Sequence, residues 1–213
     1  MPYIPRLCFI TDSSSLQGES LPRLISQAVM AGVGMVQIRE KNWGPRPLLD
    51  LARNSVEAAA AYGARIIVND RLDVALAAGA AGLHLGVKSM PVQAVRRVVS
   101  AEFVLGVSCH SLQEALQAEE GGADYILLGP IFETPSKLPY GPPLGLDRLR
   151  EVASRLRIPV LALGGMSAER AAACYEAGAH GIAAITLFQR HSNLAQLVEQ
   201  LSKHYCNANR GDS

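Results

Sequence analysis

A phrase of glycine and alanine followed by a short apolar run repeats along this chain and limits the folds open to it. Its copies are AGVGMVQIRE, YGARIIVND, AGAAGLHLG, GGADYILLGP and AGAHGIAAIT. A helix-like stretch precedes each copy, and glycine just after a helix adopts the left-handed conformation that ends it. The apolar run that follows has the length of a strand buried on both faces. The phrase therefore predicts the same helix-to-strand joint several times over.

Strand-like runs and helix-like stretches alternate along the whole chain. The eight strands are predicted at 7–11, 35–39, 65–69, 82–85, 103–108, 125–129, 159–164 and 181–186. The helices are predicted at 21–31, 47–62, 72–77, 91–99, 112–120, 146–156, 168–177 and 194–204. Each unit then takes about 27 residues, close to the size of a minimal βα unit.

Eight alternating units favour an α/β fold of one domain, the closed (β/α)8 or TIM barrel. We expect the barrel to span 1–205 and a polar tail to span 206–213. A doubly wound open sheet is the competing fold, but its first βα turn is normally rich in glycine. Here that turn is TDSSSLQGES, which lacks a GxGxxG pattern.

Charge and composition exclude several classes of function. Lys and Arg total 20 against 19 Asp and Glu, so the basic excess typical of nucleic-acid binding is missing. No apolar run is long enough to cross a membrane, and the first residues do not predict a signal peptide. The four cysteines have no CxxC spacing, which predicts reduced thiols and a cytoplasmic protein. A homo-oligomer is compatible with the sequence.

Polar and cationic residues gather where the predicted strands end, which is where barrels of this kind carry their chemistry. Gln37 and Arg39 lie two apart on one strand and point the same way, with Lys41 just beyond. Lys137 follows the sixth strand, and Gly164 and Gly165 follow the seventh. Converging cations and a glycine pair predict an anionic ligand, a phosphate or diphosphate.

Each of these residues also has a structural alternative. Arg39 and Lys41 could pair with Glu40 and Asp12, and His84 could be a hydrogen-bonded core histidine. The remaining alternatives are a helix cap at Asn69 and Asp70, a cap at Ser108 for the helix that starts near Ser111, and a plain turn at Gly164 and Gly165. The functional interpretation is favoured because all of these residues fall at one end of the predicted barrel.

The sequence resembles the thiamine-phosphate synthase superfamily from Phe9 to Phe188. The matching phrases are VQIREK, IVND, DVALAAGAAGLHLG, LGVSCHSLQEA, GADYILLGPIFETPSK, PPLGL, IPVLALGGM and AGAHGIAAI. The superfamily contains the synthases and the related thiazole tautomerases. A synthase would join hydroxymethylpyrimidine diphosphate to thiazole phosphate and release diphosphate.

The resemblance also implies a role for each strand-end residue. The diphosphate would be held by Arg39, Lys41, Asn69, Ser108 and Lys137, of which all but Asn69 would be catalytic. Gln37 and His84 would line the pyrimidine pocket, and Asp70 would bind Mg²⁺. The thiazole phosphate would be held by Thr134, Ser136, Gly165, Ile185 and Thr186.

The chain departs from the synthase pattern after the fourth strand. Synthases usually continue as HLGQxD, whereas this chain has HLGVKS, with Ser89 in place of the second magnesium carboxylate. The loss of that carboxylate, next to Lys88, predicts weakened Mg²⁺ binding.

This departure keeps two other functions open. A tautomerase would shift a proton without metal and would need a shuttle, for which His84 and His110 are the candidates. A tautomerase pattern has a catalytic histidine after the sixth strand, where this chain has Pro130. A paralogue that only binds thiazole phosphate is the third hypothesis. The loop 132–143 could close over a substrate in any of them.

Overall fold

The structure is a computed structural model, and it describes residues 2–16, 18, 20–134 and 142–208. Its parallel strands pair in sequence order, and β8 pairs with β1, which closes a barrel of eight strands. The strands are β1 (Leu7–Ile10), β2 (Met35–Ile38), β3 (Arg65–Asn69), β4 (Gly82–Leu85), β5 (Val104–Cys109), β6 (Tyr125–Leu128), β7 (Val160–Leu163) and β8 (Gly181–Ala184). The predicted (β/α)8 barrel is confirmed.

Helices follow the strands and cover the outside of the barrel. They are α1 (Leu21–Met30), α2 (Pro45–Ala60), α3 (Leu72–Ala78), α4 (Val92–Arg96), α5 (Leu112–Glu120), α6 (Gly145–Arg155), α7 (Ala168–Glu176), α8 (Thr186–Gln189) and α9 (Leu194–Ala208). A 3-10 turn, Ser13–Ser15, follows β1. Helix α9 continues past position 205, where the sequence predicts the end of the barrel domain.

The repeated phrase forms the predicted joint. Gly79 ends α3 with a φ of 66°, in the left-handed region, and β4 begins three residues later at Gly82. Gly178 ends α7 in the same way, with a φ of 89°, ahead of β8. At both joints, a glycine with a positive φ therefore ends the helix shortly before the next strand begins.

Two apolar layers hold the fold together. The larger one lies between the strands and the helices. The smaller one fills the barrel interior and includes Cys8, Ile10, Met35, Ile67, Val104, Tyr125, Leu127, Leu161 and Ala183. Because side chains alternate along a strand, the residues two positions beyond Met35, Ile67 and Gly82 also point inward, at the carboxyl end of the barrel. Those residues are Gln37, Asn69 and His84.

The last strand differs from the prediction at its end. The sequence predicts strand as far as position 186, but β8 ends at Ala184 and Thr186 is the first residue of α8. The apolar run continues through both elements, so hydrophobicity alone does not mark the boundary. No helix in the described part of the chain is both long and apolar enough to cross a bilayer.

Candidate active site

A pair of amides lies at the carboxyl ends of β2 and β3. Gln37 Nε2 donates to Asn69 Oδ1 over 3.0 Å. The Gln37 side chain is 1% exposed, and its Oε1 has no hydrogen-bond partner among the described residues. A buried carbonyl oxygen without a donor is unfavourable, so this atom is poised to accept a hydrogen bond from a bound molecule.

A second hydrogen-bonded row crosses β4, β5 and β6. His84 Nε2 lies 2.8 Å from Ser108 Oγ, and His84 Nδ1 lies 3.2 Å from the Tyr125 hydroxyl oxygen. His84 and Tyr125 are buried, whereas Ser108 is half-buried at the strand end. The pKa of His84 is lowered to about 3, mainly by burial and to a smaller extent by the positive charge of Arg39. His84 is therefore a neutral imidazole at physiological pH.

A cavity of about 280 Å³ lies between the residues that follow β1 and those that follow β2. Its walls are Asp12, Ser13, Ser14, Arg39, Glu40, Lys41, Asn42 and Trp43. Within the described residues, no carboxylate lies within ion-pair distance of the half-buried Arg39 guanidinium. This cation is available for an anionic ligand.

The carboxylate of Glu40, next in sequence, is used by the neighbouring loop. Thr11 Oγ1 donates to Glu40 Oε1 over 2.6 Å, and both the backbone N–H and the hydroxyl of Ser13 donate to Oε2, over 3.0 Å and 2.5 Å. Thr11 Oγ1 also accepts the backbone N–H of Arg39 over 2.9 Å. Glu40 therefore fixes the loop after β1 against the end of β2, and the predicted alternative of an Arg39–Glu40 pair is wrong.

Asp70 lies exposed at the end of β3 with a φ of 63°, in the left-handed region. Its backbone N–H donates to the His84 carbonyl over 2.9 Å. Ser89 Oγ accepts the Gly86 N–H over 2.6 Å and donates its own proton to Asp70 Oδ1. In the described segments, no group of three or more His, Cys, Asp or Glu side chains could hold a metal ion. Asp70 therefore offers a carboxylate of which one oxygen already accepts from Ser89.

The loops after β6 and β7 approach each other closely. A Cβ on Gly165 would lie 2.5 Å from the Glu133 carbonyl oxygen, and Gly165 has a φ of 63°. Arg170 Nη1 donates to the Gly165 carbonyl over 2.6 Å, with its guanidinium 4.9 Å from the centre of the Phe132 ring. Only glycine fits between these loops, so close packing explains the glycine at position 165 and agrees with the alternative of a turn.

The predicted site residues separate into three groups. The first group contains two hydrogen-bonded pairs on neighbouring strands, Gln37 with Asn69 and His84 with Ser108. Arg39, Lys41 and Asp70 are close to these pairs along the chain. Thr134, Gly165, Ile185 and Thr186 follow β6, β7 and β8, at the same end of the barrel. Ser136 and Lys137 lie outside the described residues, as does most of the loop 132–143.

The capping alternatives are wrong. The residue at the start of α3 is Arg71, and Asn69 instead accepts from Gln37. Ser111 caps α5 by accepting the Glu114 N–H over 3.2 Å, while Ser108 contacts His84.

His110 contacts the carboxylate of Glu114 on α5. Its backbone N–H donates to Glu114 Oε2 over 2.7 Å, and its Nδ1 lies 3.4 Å from the same oxygen. His84 has both ring nitrogens in contacts within the barrel and a pKa far below neutrality. His84 is therefore not suited to exchange a proton with a substrate near pH 7.

Sequence reasoning missed Tyr125 and Arg170, and it considered Glu40 only as a possible partner of Arg39. Tyr125 is hidden in an apolar strand, and the charge of Glu40 resembles any surface carboxylate. The available signal for Tyr125 was its inward parity with Leu127 on β6. No sequence signal placed Arg170 beside Gly165.

Comparison with known proteins adds an independent line of evidence. The sequence profile of a family described as thiamine monophosphate synthase matches residues 7–188. The thiamine-phosphate synthase of Clostridium novyi is 36% identical over 189 residues, which cover 89% of this chain and 93% of the relative. That of Methanocella arvoryzae is 43% identical over 180 residues, or 84% of this chain and 85% of the relative.

A solved structure agrees with these sequence matches. The thiamine phosphate pyrophosphorylase from Pyrococcus furiosus superposes with a TM-score of 0.85 at 30% identity. The match covers 95% of this chain and 96% of that one.

Proposed function

Because the chain belongs to the thiamine monophosphate synthase family, we propose that its barrel mouth joins hydroxymethylpyrimidine diphosphate to thiazole phosphate and releases diphosphate. The chain is a transferase of thiamine biosynthesis, like the relatives it matches across most of its length. The remaining question is what each residue of this chain contributes.

Charge stabilisation on the leaving group is the main requirement of this transfer. As the bond to diphosphate breaks, negative charge grows on the departing oxygens, and fixed cations and N–H or O–H donors stabilise it. Arg39 has no competing carboxylate among the described residues, and it lies near the polar row of His84 and Ser108. This unpaired cation is the observation that carries the proposal. Lys41, Asn69, Ser108 and Lys137 complete the proposed diphosphate site.

Recognition of the pyrimidine would depend on Gln37. Its buried Oε1 needs a donor, and an exocyclic amino group of the pyrimidine supplies one. His84 would line the same pocket as a neutral ring, since a charged imidazolium is disfavoured there.

The thiazole phosphate would occupy the opposite edge of the mouth. Gly165, Ile185 and Thr186 follow β7 and β8, where barrels commonly bind phosphate through backbone N–H groups. Thr134 and Ser136, from the loop after β6, would add hydroxyl donors.

Magnesium fits this site only in part. Asp70 offers one carboxylate, and one of its oxygens already accepts from Ser89, so water and the substrate diphosphate would have to supply most other ligands. When bound, the ion would neutralise charge on the diphosphate oxygens. Asp70 would hold it, and the Ser89 hydroxyl lies where a second carboxylate would contribute more.

Ser89→Asp should therefore strengthen magnesium binding. A second carboxylate beside Asp70 adds a charged ligand, and we expect the Kd for Mg²⁺ alone to fall by about tenfold in calorimetric titration. Ser202→Asp, at an exposed position of α9, is the matched control. An unchanged Kd in Ser89→Asp would contradict the placement of the metal at Asp70.

The proposed function itself is tested by direct assay. Purified protein with hydroxymethylpyrimidine diphosphate, thiazole phosphate and Mg²⁺ should form thiamine phosphate. Arg39→Gln should lower kcat/KM by about 100-fold, since a positioned donor to the leaving group is lost. Arg46→Gln, an exposed arginine on α2, should keep full activity. No product from the wild type, or equal losses in both variants, would overturn the proposal.

The structure disfavours the tautomerase alternative. That reaction needs a group that gives and takes a proton near neutral pH. His84, the histidine inside the barrel mouth, is neutral and has both ring nitrogens in hydrogen bonds, so it does not suit that exchange.

A further inference from the structure

We propose that Tyr125 is a positioning residue for the transfer. Its hydroxyl donates to His84 Nδ1, holds the ring proton on Nε2, and thereby leaves the Ser108 hydroxyl free to donate to the leaving diphosphate. The identity of that anion rests on the proposed function, whereas the hydrogen-bond arrangement does not.

The barrel register brings these groups together. His84 on β4 pairs with Gly106 on β5, and Gly106 pairs with Tyr125 on β6. Because Gly106 has no side chain, the Tyr125 ring can pass over it and reach His84. A Cβ on Gly106 would lie 2.1 Å from Tyr125 Cζ and 2.4 Å from its hydroxyl oxygen. With a larger residue at position 106, the tyrosine hydroxyl would have to move away from His84.

The direction of the hydrogen bonds follows from burial. Tyr125 is fully buried, and burial raises its pKa well above the usual value, so its hydroxyl keeps its proton. A buried hydroxyl proton needs an acceptor. Among the described residues, the hydrogen-bond partner of this hydroxyl is His84 Nδ1. Tyr125 therefore donates, and Nδ1 accepts.

A neutral imidazole has one donor and one acceptor. When Nδ1 accepts from Tyr125, the proton lies on Nε2 and points to Ser108 Oγ, 2.8 Å away. Ser108 then accepts from His84, and its own proton is free to point towards the barrel mouth. With the opposite tautomer, Ser108 would donate to His84 and present lone pairs to an anion.

Through His84, the hydrogen bond from Tyr125 thus leaves the Ser108 hydroxyl as a donor at the barrel mouth. Each step passes through a neutral group, so no charge has to be buried to achieve it. In this arrangement Tyr125 acts through His84 and Ser108 and does not touch the substrate.

Nitrogen NMR tests the tautomer directly. In protein labelled with ¹⁵N-histidine, the His84 signals, identified by their loss in His84→Gln, should show the proton on Nε2. In Tyr125→Phe the ring remains but the donor is lost, and the Nδ1–H tautomer should become populated. Tyr175→Phe is the matched control, because the Tyr175 hydroxyl is buried without a hydrogen-bond partner among the described residues.

Kinetics and binding supply the second readout. Tyr125→Phe should lower kcat by about tenfold, the effect of one weakened hydrogen bond to the leaving group. The KM for thiazole phosphate should stay unchanged. The affinity for inorganic diphosphate should fall in Tyr125→Phe and remain unchanged in Tyr175→Phe.

Three outcomes would overturn the proposal. They are a wild-type His84 with its proton on Nδ1, unchanged His84 signals in Tyr125→Phe, and equal losses of kcat in the Tyr125 and Tyr175 variants. A wild type without synthase activity would count against the proposed function alone, since the NMR spectra and diphosphate binding still decide the role of Tyr125. If Tyr125→Phe does not fold, the wild-type spectrum remains decisive.

Discussion

Gln37 holds a carbonyl oxygen inside the barrel without a donor among the described residues. Leaving such an atom unpaired costs about 1–3 kcal/mol, and a bound donor recovers that free energy. Gln37→Met should therefore raise the KM for the pyrimidine substrate by about tenfold or more. The free energy of unfolding should change little, because the gain from removing the unpaired oxygen offsets the loss of the hydrogen bond to Asn69. Steady-state kinetics and urea unfolding measure both quantities. Gln117→Met, at an exposed position of α5, should change neither, and an unaltered KM in Gln37→Met would refute its role.

Because of His84, the protein should become less stable as the pH falls. The pKa of His84 is lowered from 6.5 to about 3 in the folded protein, first by burial and then by Arg39. Between these values the unfolded chain binds a proton that the folded chain does not, so stability falls as the pH drops below about 6.5.

We expect His84 alone to cost about 2 kcal/mol of unfolding free energy between pH 7 and pH 5. His84→Gln should remove that part of the slope, whatever its stability at pH 7. Urea unfolding at both pH values measures the difference. Equal slopes in the wild type and the variant would show that His84 is not buried as a neutral ring.

Some residue roles could be predicted from the sequence and others could not. Gln37, Asn69, His84 and Ser108 are polar residues in apolar strands, and such residues stand out because burial has to be compensated. Tyr125 does not stand out in this way, since it begins the apolar run YILL of β6. Its partner is set by the register with Gly106, which only the paired strands reveal.

At the scale of elements, Glu40 joins the end of β2 to the 3-10 turn Ser13–Ser15. Glu40→Gln removes the negative charge and replaces one carboxylate oxygen by an amide nitrogen. An amide N–H then faces the Ser13 N–H and hydroxyl, which are donors and have lost their acceptor. We expect a loss of about 1–3 kcal/mol in unfolding free energy and faster hydrogen exchange at the Ser13 amide. The exposed Glu57→Gln on α2 is the control. Unchanged exchange at Ser13 would mean that other contacts hold this turn.

The elements themselves were predictable where a local rule fixes them. Buried strands β3 and β4 match their predicted limits, since glycine or charged residues flank each apolar run. Helix α4 is shorter than predicted, at Val92–Arg96, and the four-residue α8 was missed. A helix of one turn has too few residues to display a 3.6-residue period, and packing at the barrel end decides its conformation.

At the scale of the whole molecule, the barrel exists only if β8 meets β1. The sequence could predict eight units, but closure depends on how closely two backbones approach at this seam. Gly181 lies there, and a Cβ on it would be 2.2 Å from the Arg6 carbonyl oxygen and 2.7 Å from Arg6 Cα. Backbone atoms cannot rotate out of the way as a side chain can. The methyl group of an alanine at position 181 would therefore force β8 and β1 apart.

Gly181→Ala should therefore destabilise the entire barrel by about 1–3 kcal/mol or more, since opening the seam strains every strand pair in the closed sheet. Gly44→Ala is the matched control: its Cβ meets no atom within 4 Å, and its φ of −68° suits alanine. Urea unfolding should be followed both by circular dichroism and by the fluorescence of Trp43. Trp43 lines the cavity between the residues that follow β1 and β2, and it is distant from Gly181 in the sequence. Both signals should shift together to lower urea in Gly181→Ala, because a closed barrel loses its strands cooperatively. A shift in circular dichroism with an unshifted Trp43 transition would mean that the seam opens locally and that the site does not depend on closure.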